Sequence, residues 1–218
     1  DGAMGYSDEE SLLPGLRPLN IYGYSKHLFD LWAWRQGLLD QIVGLKFFNV
    51  YGPGEDHKGT MRSLVHKAFF EVLATGQIQL FRSYRNDIAD GEQKRDFVFV
   101  RDAVRVALTF LDHPDRSGLF NCGTGEARTW LDLARALFSA MGRKPNICFT
   151  EMPENIRDKY QYHTQADLTK LRRAGFTEPF TSIEDGIHEY VTGYLVHSEP
   201  GVYQSEEPPV VASRDGSC

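Results

Sequence analysis

Asn20-Ile-Tyr-Gly-Tyr-Ser-Lys26, followed by Gln41-Ile-Val-Gly-Leu-Lys-Phe-Phe-Asn49 and Val50-Tyr-Gly-Pro-Gly54, is the stretch whose reading decides the fold. Asn20 suits a helix N-cap, and Leu28, Phe29, Leu31 and Trp32 recur at helical spacing. A helix from Ile21 to about Gln36 is predicted, with Gly37 as its stop. Tyr22 and Lys26 then stand one turn apart on one face. A phenol titrates near pH ~10, too high for a base at neutral pH, but a nearby ammonium stabilises its anion. The pair can thus serve a substrate hydroxyl, although the spacing alone also fits a surface pair. The second stretch is short, apolar, β-branched and aromatic, and reads as a buried parallel strand. It ends in a sharp turn. Ligands of open parallel sheets sit beyond the carboxyl ends of strands, which favours Asn49 and the loop after it as binding elements.

On either side of this stretch, strands alternate with helices. Residues 1–19 read as loop, with Asp8-Glu-Glu10 as a solvated acidic run. A helix is expected from Met61 to Thr75, a strand at Ile78–Phe81, a flexible polar excursion over 82–94 and a strand at Asp96–Val100. Asp102 is expected to cap a helix to Leu111. Then come strand Leu119–Cys122, a Thr129-capped helix from Trp130 to Met141, strand Asn146–Thr150, a short helix capped by Asp167 and a last one capped by Ser182. The aromatic cluster Phe29, Trp32, Trp34 and Phe47-Phe48 reads as core or subunit interface. The Pro-, Glu- and Ser-rich segment 198–218 reads as a disordered tail. The fold class is α/β.

The bulk numbers exclude several function classes. The chain has 218 residues, 41% hydrophobic and 25% charged, which is ordinary for a globular protein. A net charge of -6 argues against a nucleic-acid partner. No apolar run approaches a membrane span, and no secretory leader pattern is present. Seven histidines without close ligand spacing point to no metal site. Three cysteines, odd in number and far apart, suggest reduced thiols and a cytoplasmic location.

Four patterns occur in order: Tyr22-Gly-Tyr-Ser-Lys26, Phe48-Asn-Val-Tyr-Gly-Pro-Gly54, Lys94-Arg-Asp-Phe-Val98 and Phe120-Asn-Cys-Gly-Thr-Gly125. Together the sequence resembles the extended short-chain dehydrogenase/reductase family, which holds sugar-nucleotide epimerases and dehydratases. Gly54-Glu-Asp-His-Lys-Gly-Thr-Met61 and Tyr160-Gln-Tyr-His-Thr-Gln-Ala-Asp-Leu168 are similar to its branch of ADP-heptose 6-epimerases. The resemblance covers about residues 1–195. It implies inversion of the heptose C6 in ADP-glycero-manno-heptose through a nicotinamide cofactor, NADP by family with NAD as the other choice. The product would supply the lipopolysaccharide inner core, and a homo-oligomer, a ring of five, is implied.

The same resemblance implies residue roles. Tyr22 and Lys58 would be the two acid/base groups. Lys26 would hold the nicotinamide ribose, Val50 would touch the cofactor, and Lys58 would border it. Asn49 and Thr60 would hydrogen-bond substrate. Lys67 stands where the family commonly has a substrate-contacting His, so its role departs from the pattern. Phe81, Arg82, Ser83 and Tyr84 would border the nucleotide, Arg95 would hold the diphosphate, and Tyr160 would complete the site. One departure is large: the family's Gly-rich strand–turn–helix is absent, and Gly123-Thr-Gly125 does not replace it. The chain therefore looks like the C-terminal part of such an enzyme, unable by itself to bind cofactor tightly. Residues 1–60 with parts of 95–125 would be a Rossmann-type remnant, and 61–95 with 126–197 a smaller mixed substrate domain.

Plainer roles remain open at each position. Lys58 also fits a solvated loop, Asn49 a turn cap, Arg95 a structural ion pair, Tyr160 simple packing and Thr60 a helix cap. A 4-epimerase or 4,6-dehydratase on another nucleotide sugar is the near alternative. A non-catalytic binding fragment is the distant one.

Overall fold

A computed structural model describes residues 7–198 of the chain. Among the described residues, seven strands form three small sheets. Strand β1 (Val43–Phe47) pairs in parallel with β5 (Gly118–Cys122). Strand β2 (Asn49–Tyr51) pairs in parallel with β4 (Lys94–Phe99), whose other edge takes β6 (Ala127–Thr129) antiparallel. Strand β3 (Ile78–Phe81) pairs in parallel with β7 (Ile147–Thr150). Helices α1 (Ile21–Arg35), α2 (Leu64–Thr75), α3 (Val100–Asp112), α4 (Trp130–Ala140), α5 (Glu154–Arg157), α6 (Thr169–Arg173) and α7 (Ile183–Gly193) alternate with them. The expected α/β class holds. The largest apolar core lies among α2, α4, α7 and strands β3 and β4, with Phe99, Phe138, Leu137 and Tyr190 fully enclosed.

Local signals place most of these elements. The Asn20 side chain accepts from Gly23 N–H at 2.8 Å, and Gly37 closes the helix end with a φ of 66°. Thr129 and Asp132 cap α4 reciprocally, and Ser182 accepts from Asp185 N–H to start α7.

Several expectations are corrected. The single strand over 41–49 is divided at Phe48 into β1 and β2, which belong to different sheets, and β1 is half-buried rather than buried. Among the described residues its hydrogen-bonded strand partner is β5 alone. The expected apolar face of α1 is open: Leu28, Phe29 and Trp32 are more than half exposed, and the helix buries His27 and Ala33 instead. Helix α2 begins at Leu64, after a 3-10 turn over Asp56–Met61, so its cap is Ser63 and not Thr60. Asp102 lies inside the first turn of α3, buried and bound to Arg105 and Thr181, while Phe99 holds the cap position. Leu168, not Asp167, is the N-cap residue of α6, although Asp167 Oδ1 accepts from Thr169 N–H. The 82–94 segment is tied down, with Asp90 accepting from Ser83 N–H at 2.7 Å and from Arg82 at 3.2 Å. Cys122 is a buried free thiol, and Cys148 Sγ lies 3.5 Å from Gln77 Oε1. Of the tail expected to be disordered, residues 199–218 lie outside the described residues.

Of the acidic run only Glu9 stays exposed, while Asp8 and Glu10 are drawn inward at the start of a 3-10 turn over Glu10–Gly15. Asp8 is 4% exposed, and its Oδ2 accepts from Asn121 N–H. Glu10 Oε1 accepts from Leu119 N–H and from Lys170 Nζ. Both carboxylates thus cover the outer edge of β5, where a neighbouring strand would otherwise supply carbonyls. Burial raises the Asp8 pKa and outweighs its hydrogen bonds. Burial also pushes Glu10 upward, but the bonds from Lys170 and Leu119 outweigh it and hold Glu10 below its ordinary value. Glu10 therefore stabilises the fold above its unfolded value and loses that contribution as pH falls through its lowered value. Asp8 works in the opposite sense and favours the fold as it protonates. Lys170→Met is expected to cost about 1 kcal/mol at pH 7 and to flatten the acid limb below about pH 4.5. Urea midpoints from pH 3 to 7 read both effects, and an unchanged limb would contradict them.

Candidate active site

A cavity of about 650 Å³ opens beside the carboxyl end of β1. Its wall is built from β2, the 55–63 turn, the start of α2, the end of β3, strand β4 and the start of α4. Of the residues singled out from sequence, Tyr22, Asn49, Val50 and Lys58 line one part of it. Lys67, Phe81, Arg95 and Tyr160 line the rest. Residues more than a hundred positions apart are therefore brought to one surface. Lys26, Thr60, Arg82, Ser83 and Tyr84 are not in the lining.

Tyr22 is 65% exposed, so its ring is open to a ligand. Lys26 Nζ lies 5.2 Å from the centre of that ring, a cation–π placement beside the phenol. Tyr22 and Lys26 also line a second cleft of about 730 Å³ between α1 and β1. Asn49 opens β2, and its side chain has no hydrogen-bond partner among the described residues, which counts against a turn-capping role. Lys58 stands in the 56–61 turn, its N–H bonded to Glu55 O at 3.0 Å. Lys67 reaches back to Thr60 O at 3.4 Å.

Arg95 is 7% exposed and held between aromatic rings, 5.1 Å from Tyr160 and 5.7 Å from Trp130. Trp130 Nε1–H donates to Tyr160 Oη at 2.9 Å. Burial raises the Tyr160 pKa, the nearby Arg95 charge opposing it. The trio forms a rigid wall that presents a cation and flat rings, a surface suited to a phosphorylated base. Trp130 was missed in the sequence. It reads there only as the first residue of a capped helix.

The three other predicted nucleotide contacts are used elsewhere. Arg82 pairs with Asp90 and Glu151. Ser83 donates its N–H to Asp90, and the exposed Tyr84 hydroxyl bonds Glu151. That bond raises the Tyr84 pKa. Glu55, also missed, is the acidic member of the lining, faced by the cations Lys58, Arg62, Lys67 and Arg95. The balance of charge favours an anionic ligand.

Gly123-Thr-Gly125 wraps a side chain of the chain itself. Asp96, fully buried, accepts from Thr124 N–H and Oγ1–H at 2.7 Å, from Gly125 N–H at 2.9 Å and from Ala166 N–H at 3.0 Å. A Cβ on Gly123 would stand 2.8 Å from Asp96 Oδ2. Among the described residues no helix is long and apolar enough to cross a membrane, and no cluster of three or more His, Cys, Asp or Glu could hold a metal.

The NAD dependent epimerase/dehydratase family model matches residues 2–123. The chain belongs to this family. Over 200 residues it is 53% identical to the ADP-L-glycero-D-manno-heptose-6-epimerase of Nitratidesulfovibrio vulgaris strain DP4, covering 92% of this chain and 62% of that protein. It thus spans less than two thirds of the length of the curated relatives it matches. Among solved structures, it is similar to the Helicobacter pylori ADP-L-glycero-D-manno-heptose-6-epimerase, with a TM-score of 0.65 and 27% identity over 80% of this chain and 51% of that one. It is also similar to the Thermus thermophilus UDP-glucose 4-epimerase complexed with NAD, with a TM-score of 0.61 and 25% identity over 81% and 54%. Membership accounts for the parallel pairing of β1 with β5 and for the α/β alternation. The family is NAD-dependent by its description and acts through epimerisation or dehydration.

Proposed function

We propose that this chain, within a polypeptide of its relatives' length, inverts C6 of the heptose in ADP-glycero-manno-heptose. The observation that carries this reading is the meeting of Tyr22 and Lys58 on one cationic cavity, in a chain 53% identical to a protein named for that reaction. A carbinol C–H is not acidic, so its centre is inverted by removing and returning a hydride, and a bound nicotinamide supplies that exchange. The chain's own residues handle the oxygen. Tyr22 takes or returns the proton of the C6 hydroxyl from one side, and Lys58 does so from the other. Asn49 orients the sugar, and Arg95 with Tyr160 holds the nucleotide diphosphate. Lys67 offers a second cation to the phosphates.

Tyr22 and Lys26 fit the nicotinamide-ribose end of the cofactor: an ammonium beside an open phenol, at a cleft that adjoins the main cavity. No G-x-G-x-x-G occurs in the 218 residues, so the pyrophosphate end has no cradle here. A second reading, a binding protein without catalysis, is the one to prefer only if the polypeptide of relatives' length also lacks such a loop. NADP in preference to NAD, a cytoplasmic location, a five-fold homo-oligomer and a role in lipopolysaccharide inner-core synthesis belong to the first reading. Incubating the chain, completed to its relatives' length, with one C6 epimer and following C6 by NMR tests it. A mixture of both epimers is expected. Change at C4, or none, would overturn it.

A further inference from the structure

The 56–61 turn carries Lys58, yet none of its residues is buried. Its shape must therefore come from polar ties, and the ends of the turn meet at a single carboxylate. Glu55 is 4% exposed. Its Oε2 accepts from Ser63 N–H at 2.5 Å, and its Oε1 accepts from Ser63 Oγ–H at 2.6 Å and from Tyr190 Oη–H at 3.0 Å. Its own carbonyl accepts from Lys58 N–H, and Ser63 in turn caps α2 at His66 N–H. Within the loop, Arg62 binds Asp56 O at 2.6 and 3.0 Å, and Gly59 takes a φ of +54° that favours glycine.

We propose that Glu55 is a positioning residue: it closes the 55–63 turn, fixes Lys58 over the cavity and, through Tyr190, sets that placement from helix α7. The catalytic part of this inference rests on the reading of Lys58 as a proton-handling group. A carboxylate suits the task because all three of its partners are donors. An amide in its place would set an NH₂ against one of them. A misplacement of the order of 1 Å in an acid/base group costs turnover far more than it costs binding.

Two measurements on Glu55→Gln and Tyr190→Phe test the tie. Amide hydrogen exchange on the chain is expected to speed up by about tenfold or more at Lys58 and Ser63 in Glu55→Gln, with β5 unchanged. Tyr190→Phe, which removes one donor and no charge, is expected to give the same pattern at about threefold and remains informative if Glu55→Gln folds poorly. Unchanged exchange at both amides would overturn the tie. In the polypeptide of relatives' length, kcat is expected to fall about tenfold in Glu55→Gln with KM held within about twofold. Unchanged kcat beside an inactive Lys58→Met would overturn the positioning role while leaving the proposed function standing. An active Lys58→Met would instead overturn the role given to Lys58, and the exchange data would still decide whether Glu55 holds the turn.

Discussion

Lys58→Met, assayed in the chain completed to its relatives' length, is expected to lower epimerisation by about 10²- to 10⁴-fold, the range for loss of a positioned acid/base group. Methionine keeps the length and apolar stem of lysine while removing the charge and every exchangeable proton. Tyr22→Phe is expected to do the same, since phenylalanine keeps the ring under Lys26 Nζ and removes only the hydroxyl. Neither side chain is buried, so folding should be untouched and melting temperatures should match the parent. The double variant is expected to be no worse than about the poorer single one, because both residues serve one inversion. Retained turnover in either single variant would remove that residue from the mechanism.

The second large effect is on stability. On β4, Asp96 accepts four hydrogen bonds from two segments folded onto it, the 123–125 turn and the 164–166 segment. Asp96→Asn keeps the shape but turns an NH₂ toward N–H donors, leaving buried groups unsatisfied. A loss of about 3 kcal/mol or more is expected, with a fall in Tm of roughly 6–12 °C. Asp112→Asn, at the exposed end of α3, is the matched control and should shift stability by less than about 0.5 kcal/mol. A fall no greater than the control's would show that the turn holds without the carboxylate. The effect should reach the cavity too, because Arg95 immediately precedes Asp96 on β4.

The parts of this architecture legible in the sequence are those fixed by local chemistry. Asn20, Thr129 and Ser182 cap helices because their side chains satisfy N–H groups three residues on, a relation contained in a few positions. Asn49 and the loop after it could be placed at a site because strand ends gather ligands, whereas the family resemblance alone joined Tyr22, Lys58, Arg95 and Tyr160 to it. What escaped depended on distant partners. Asp8 and Glu10 look like a solvated run until β5 arrives with unpaired N–H groups 109 and 113 residues later. Glu55 reads as one more charge in a polar loop until Tyr190 comes to lie beside it. Periodicity identified α1 as amphipathic but said nothing of what covers Leu28, Phe29 and Trp32, which stand open among the described residues. Gly123-Thr-Gly125 carries the composition of a phosphate loop, yet its N–H groups are spent on a carboxylate of the same chain.

Tyr22 and Lys58 are assigned to opposite sides of one carbinol, which gives each a preferred C6 epimer. The most direct measurement supplies the two epimers separately to the Tyr22→Phe and Lys58→Met proteins and follows nicotinamide reduction by its absorbance through one turnover. The account predicts that each variant loses oxidation of one epimer by about a hundredfold more than of the other, and that the epimer lost differs between the two variants. Loss of the same epimer in both, or equal loss of both epimers in each, would contradict it.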